Sequence, residues 1–146
     1  MCFGAKDNAF GRFHLPSSGK LTAIKLVHLY GYVSCLAPHP SHWSYWGCAH
    51  HGGITNYNNV VITNARNHII LPPNELLASG GNAAGKWYYN VGYSSLSPEL
   101  VLSVFSDPCP VSSGQEFRVW YGEDLVKYYE QDNGGKVCSD VYALYV

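Results

Sequence analysis

Apolar and polar positions alternate along this chain in short runs, with almost no stretch at helical spacing. Between Lys20 and Cys35, an extended strand puts Thr22, Ile24 and Leu26 on one face and Leu21, Ala23, Val27 and Leu29 on the other, so a long strand covered on both faces is predicted, with Gly31 as its natural break point. Shorter runs rich in β-branched and aromatic residues predict strands at Asn59–Thr63, His68–Leu71, Lys86–Val91, Glu99–Phe105, Glu116–Gly122 and Val137–Val146. Turn chemistry separates them: Leu71-Pro72-Pro73, Ser79-Gly80-Gly81, Asp107-Pro108-Cys109-Pro110 and Asp132-Asn133-Gly134-Gly135 all break an extended run. Only Asn74-Glu75-Leu76-Leu77-Ala78 hints at a helix, and it is long enough for one turn. The prediction is all-β: a single-domain antiparallel β-sandwich spanning residues 1–146. Glu116–Leu125 and Val137–Val146 flank the turn-rich Tyr128–Gly135 and are expected to pair as a C-terminal hairpin with a wide loop.

Composition narrows the function classes. Of the 146 residues, 47% are hydrophobic and 13% charged, a balance that excludes a disordered chain. A net charge of −1 provides no basic field, so nucleic acid is not an expected partner. The longest apolar runs, such as Val60–Ile62, are far shorter than the ~20 residues that span a bilayer, so no membrane insertion is expected. No Gly-x-Ser-x-Gly elbow, His-Glu-x-x-His, phosphate-binding loop or Gly-x-Gly-x-x-Gly is present, which points away from an enzyme.

Cysteine use bears on compartment. No charged-then-apolar leader precedes Lys6 and Asp7, which leaves a cytosolic protein or a secreted one whose signal peptide has already been removed. The five cysteines, Cys2, Cys35, Cys48, Cys109 and Cys138, are odd in number; two intrachain bridges would leave one thiol. Cys2 is the expected spare, able to form an interchain disulfide in a homodimer, because a terminal segment is the least tied down. The alternative is five reduced thiols in the cytosol.

Candidate chemistry lies in two places. Six of the ten acidic residues fall in the last 31 positions. Glu123, Asp124, Asp132, Asn133 and Asp140 offer hard oxygen donors of the kind calcium takes, six to eight at about 2.3–2.6 Å. The competing reading is a solvated acidic loop. His39, His42, Cys48, His50 and His51 form a second cluster in which zinc ligands are conceivable, although the spacing matches no Cys-x-x-Cys knuckle.

The C-terminal half has more specific wording: Gln115-Glu116-Phe117-Arg118-Val119-Trp120-Tyr121-Gly122-Glu123-Asp124-Leu125, then Asp132-Asn133-Gly134-Gly135, then Cys138-Ser139-Asp140-Val141-Tyr142-Ala143. It resembles the secreted galactose-binding lectins of sea anemones and corals. Gly19-Lys20-Leu21-Thr22-Ala23-Ile24-Lys25-Leu26-Val27-His28 and Ile69-Ile70-Leu71-Pro72-Pro73 carry the likeness into the first half, so it covers nearly the whole chain. The resemblance implies an extracellular protein that binds terminal β-linked galactose on glycans with Ca2+ and forms a disulfide-linked homodimer. For the sugar so implied, Tyr128, Tyr129 and Trp87 offer aromatic platforms for its C–H face, with His50 and His51 as further contacts. A shorter likeness, Gly114–Gly122, is to the closing strand of PR/SET methyltransferases, without their Asn-His-Ser or Asn-His-Cys cofactor motif. A methyltransferase fragment and a zinc-binding structural β-domain are therefore the alternative readings.

Overall fold

The alternation is realised as eleven strands among the residues described by a computed structural model, namely 1–51, 54–78 and 82–146, with the side chains of 51 and 54–56 excepted. They are β1 (Cys2–Gly4), β2 (Gly11–His14), β3 (Gly19–Ser34), β4 (Gly47–His51), β5 (Ile54–Asn58), β6 (Val60–Asn64), β7 (Ile69–Leu71), β8 (Glu99–Ser103), β9 (Cys109–Val111), β10 (Glu116–Tyr121) and β11 (Gly134–Tyr145), with the one-turn helices α1 (Asn74–Ala78) and α2 (Gly122–Val126). One sheet runs β1-β11-β3-β8, with β9 on the same edge of β3 as β8. A second runs β2-β10-β6-β7, and β4 pairs with β5. Every pairing is antiparallel. The antiparallel β-sandwich expected from the strand spacing is thus the observed fold, and the strands expected at Asn59–Thr63, His68–Leu71, Glu99–Phe105, Glu116–Gly122 and Val137–Val146 are all present within a few residues.

The core lies between the two larger sheets. Ile24 and Leu26 of β3 with Leu100 and Leu102 of β8 meet Val60 and Ile62 of β6 and Phe117, Val119 and Tyr121 of β10, all at or near zero exposure. Each such side chain contributes roughly 1.5–3 kcal/mol by leaving water. The opposite face of β3 is more open than expected: Lys25 and Val27 are half-buried, and Leu29 and Tyr30 are exposed, so among the described residues no second layer covers that end of the strand. Nor does β3 break at Gly31. Its residue at φ +90° sits against β11, where an added Cβ would lie 2.2 Å from the Lys136 carbonyl oxygen, so glycine lets the long strand twist and continue.

Three further expectations are corrected. The C-terminal hairpin does not form: β10 pairs β2 and β6, while β11 pairs β1 and β3 in the other sheet. The segment between them crosses the edge of the sandwich through α2 and a 3₁₀ turn at Glu130–Asp132, and so joins two layers. Lys86–Val91 forms no strand; its backbone makes isolated bridges, Asn58 to Tyr88 and Asn90 to Tyr93, and its side chains anchor it, the Tyr88 hydroxyl donating to the Val60 carbonyl and the Asn90 amide to the Val101 carbonyl. Cys2 is not the spare cysteine. The β1–β11 register places it opposite Cys138, with which it forms a disulfide, and a second disulfide joins Cys35 and Cys48. A terminal strand hydrogen-bonded to β11 is not a loose tail, and the free thiol is Cys109. The Ser79-Gly80-Gly81 breaker lies outside the described residues.

Candidate functional site

The site is organised where β10 runs into α2. Gly122 brings the chain so close to β6 that an added Cβ would lie 2.9 Å from the Asn59 carbonyl oxygen, and its N–H donates to that oxygen at 2.6 Å. The side chain of Asn59 then works in both directions: its oxygen accepts from the Glu123 N–H at 2.9 Å, and its amide donates to the Gly85 carbonyl at 2.8 Å. These bonds aim Glu123 inward, where it is 3% exposed and accepts from the Trp87 indole N–H at 2.9 Å through Oε2. Its other oxygen, Oε1, is buried without a hydrogen-bond partner. Burial pushes the Glu123 carboxyl up to about 7, opposed by Trp87 and by the neighbouring Asn133 amide, and Glu130 adds a further upward push.

Two residues from the following turn complete the group. Asn133, 1% exposed, donates to the Ala5 carbonyl at 2.9 Å, which leaves its Oδ1 buried and unpartnered. Glu130 has an unpartnered Oε2, and its carboxyl is raised by burial and by Asp124, against the lowering influence of Lys127. Three buried oxygens from one eleven-residue segment thus lack the partner that buried polar atoms nearly always have. A donor set of two carboxylates and one amide suits a hard cation such as calcium in type and charge. Among the described residues no three His, Cys, Asp or Glu side chains converge as a ready-made cage, so carbonyls, water or ligand hydroxyls would supply the rest of a calcium shell.

The five oxygen donors singled out in the sequence therefore separate. Glu123 and Asn133 come together. Asp124 is fully buried beside them, but its two oxygens accept from the main-chain N–H groups of Asn8 and Ala9, both at 2.9 Å, and Lys127 lies 3.3 Å from Oδ1. It ties the N-terminal turn to α2. Asp132 is exposed on the 3₁₀ turn. Asp140 stands opposite Val27, six residues along β11 from Gly134 and so roughly 20 Å away at the rise of an extended strand; it is out of reach of the group. Glu130 is the donor that sequence reasoning missed, although it falls seven residues after Glu123 in the same acidic segment.

The aromatic candidates divide in the same way. Trp87 is fully buried and cannot serve as a platform; its role is to hold Glu123. Tyr128 packs over Gly85 beside Trp87 and meets Tyr129 edge-on at 4.7 Å. Tyr129 is 73% exposed, held at φ +48° immediately before Glu130, so an open ring stands next to the acidic group. His50 lies elsewhere, against His42. The side chain of His51 is outside the described residues. The zinc ligand set is also changed, since Cys48 is bonded to Cys35.

A β-sandwich with an inward acid group beside an exposed aromatic ring has the build of a binding module. No described helix is long and apolar enough to cross a membrane. No protein-family model and no curated protein matches the chain. Among solved structures it is similar to AJLec from the sea anemone Anthopleura japonica, with 39% sequence identity and a TM-score of 0.86, over 99% of this chain and 92% of that one. The chain belongs to the sea anemone lectin family represented by AJLec.

Proposed function

We propose that the chain is an extracellular, calcium-dependent lectin for terminal β-linked galactose on glycans. Its likeness to AJLec along almost its whole length carries the lectin reading, and its two disulfides favour an oxidising compartment. The unpartnered oxygens of Glu123, Glu130 and Asn133 support the calcium part of the reading. Galactose rests on the family resemblance seen in the sequence.

Binding a neutral sugar from water is hard because each hydroxyl exchanges one good hydrogen bond for another, with a net gain of about 0.5–1.5 kcal/mol. A bound calcium ion would supply charge–dipole attraction for a pair of neighbouring hydroxyls in place of two waters. Glu123, Glu130 and Asn133 would hold it, and Trp87 and Asn59 fix the direction in which Glu123 faces. Tyr129, rigid and exposed, offers a face for the apolar C–H side of galactose. In the homodimer part of this reading Cys109 takes the bridging role, because it is the free cysteine.

A glycan array run with calcium and then with chelator tests the reading. The expected result is binding to galactose-terminated glycans that chelator abolishes and that Glu123→Gln weakens by at least tenfold, while Asp140→Ala binds as wild type does. Binding that survives chelator, or a galactose signal equal in Glu123→Gln and wild type, would remove calcium and this acid group from the account.

A further inference from the structure

We infer that His39, His42 and His50 form a binding site for one borderline transition-metal ion of the Zn2+, Cu2+ or Ni2+ class, separate from the acidic group. His39 caps the 3₁₀ turn Pro40–His42, and its carbonyl accepts from the His42 N–H at 3.1 Å, which sets these two rings side by side. His50 arrives from a different element, β4, two residues beyond Cys48, whose disulfide to Cys35 pins that strand beneath the turn. The ring centres of His39 and His42 are 5.4 Å apart and those of His42 and His50 5.9 Å.

Those separations have a chemical meaning. Two imidazoles on one tetrahedral ion, each with a nitrogen at about 2.0–2.1 Å, place their ring centres roughly 5 Å apart. The interplanar angles, 55° and 82°, are splayed rather than stacked, so the rings leave room between them for an ion. The donor nitrogens do not meet at a single point in the present arrangement; His39 and His50 are exposed, so their rings are free to change rotamer toward His42. Ser41 Oγ lies 3.2 Å from His42 Nδ1; when the ring donates there, Nε2 carries the lone pair a metal needs. Imidazole nitrogen selects this class of ion over calcium, which takes oxygen. The bound ion would clip the turn onto β4 and keep at least one coordination position open.

The test is a calorimetric titration of the full chain with ZnCl2 in saturating calcium, which occupies hard-oxygen sites and leaves imidazoles free. Saturable uptake of one Zn2+ per chain is expected. His42→Ala and His50→Ala should each weaken it by more than the ~10–100-fold that loss of an outer partner costs. Co2+ should give a visible ligand-field spectrum in wild type that His42→Ala loses. The three rings lie at the surface, so the metal-free variants should melt with wild type. Absence of saturable Zn2+ uptake by wild type, or affinity in His42→Ala and His50→Ala equal to it, would overturn the inference.

Discussion

Glu123 shows how one residue can couple solution conditions to this fold. Its carboxyl is raised to about 7 by burial, so the folded chain holds that proton more tightly than the unfolded chain does. A group shifted upward stabilises the fold fully below its unfolded pKa, and that contribution is lost as pH rises through the folded value. For metal-free protein the loss therefore falls between about pH 4.5 and 7, and a shift of this size corresponds to about 3 kcal/mol. Glu123→Gln keeps an oxygen for the Trp87 indole and removes the titration. In urea unfolding with chelator it should gain up to about 3 kcal/mol over wild type at pH 8 and almost nothing at pH 4.5. Parallel pH profiles for the two proteins would show that Glu123 does not titrate as described. The trade is consistent with a binding group: an acid that lowers stability when unpaired is useful where a cation covers it.

At the scale of elements, the β3–β11 ladder carries the sheet, and Gly31 is its tightest point. Alanine there would bring a Cβ to 2.2 Å from the Lys136 carbonyl oxygen in addition to the strain of φ +90°. Gly92 has a similar φ of +87° with nothing within 4 Å of an added Cβ. Gly92→Ala should then cost only the backbone term, about 1 kcal/mol, and Gly31→Ala about 2–4 kcal/mol. Thermal melts read the difference at roughly 2–4 °C per kcal/mol, and equal losses would mean the ladder absorbs the methyl. The strand itself was legible in the sequence because β-branched and apolar residues run from Leu21 to Leu29 without a turn residue, with Ile24 and Leu26 on the face that meets the core. Helix α2 was not, since Gly122-Glu123-Asp124-Leu125 continues the text of β10 without a breaker. What ends the strand is the Asn59 side chain, contributed by a residue 64 positions away.

For the whole molecule, the disulfides decide which copies can be joined covalently. Cys2–Cys138 closes the chain nearly end to end, and a loop of that length contributes about 4–5 kcal/mol in the chain-entropy view, so its thiols are committed. A covalent dimer should therefore run through Cys109: the dimer band on a non-reducing gel is expected to vanish in Cys109→Ser, and its persistence would exclude that bridge. The class of fold could be read from the chain alone, because period-two alternation and dense turn residues leave few other ways to bury 47% hydrophobic residues. The acidic segment could also be located. Which acids meet could not, because proximity in sequence is not proximity across a sandwich. Asp140, in the second run of the supposed hairpin, is carried away along β11, while Asn133 is turned inward by the Ala5 carbonyl. The same limit applies to Cys2, whose partner is chosen by the register of two antiparallel strands at opposite ends of the chain. Local pattern determines which segments are strands; pairing between distant segments, settled by how the two sheets close over one core, determines which side chains share a site.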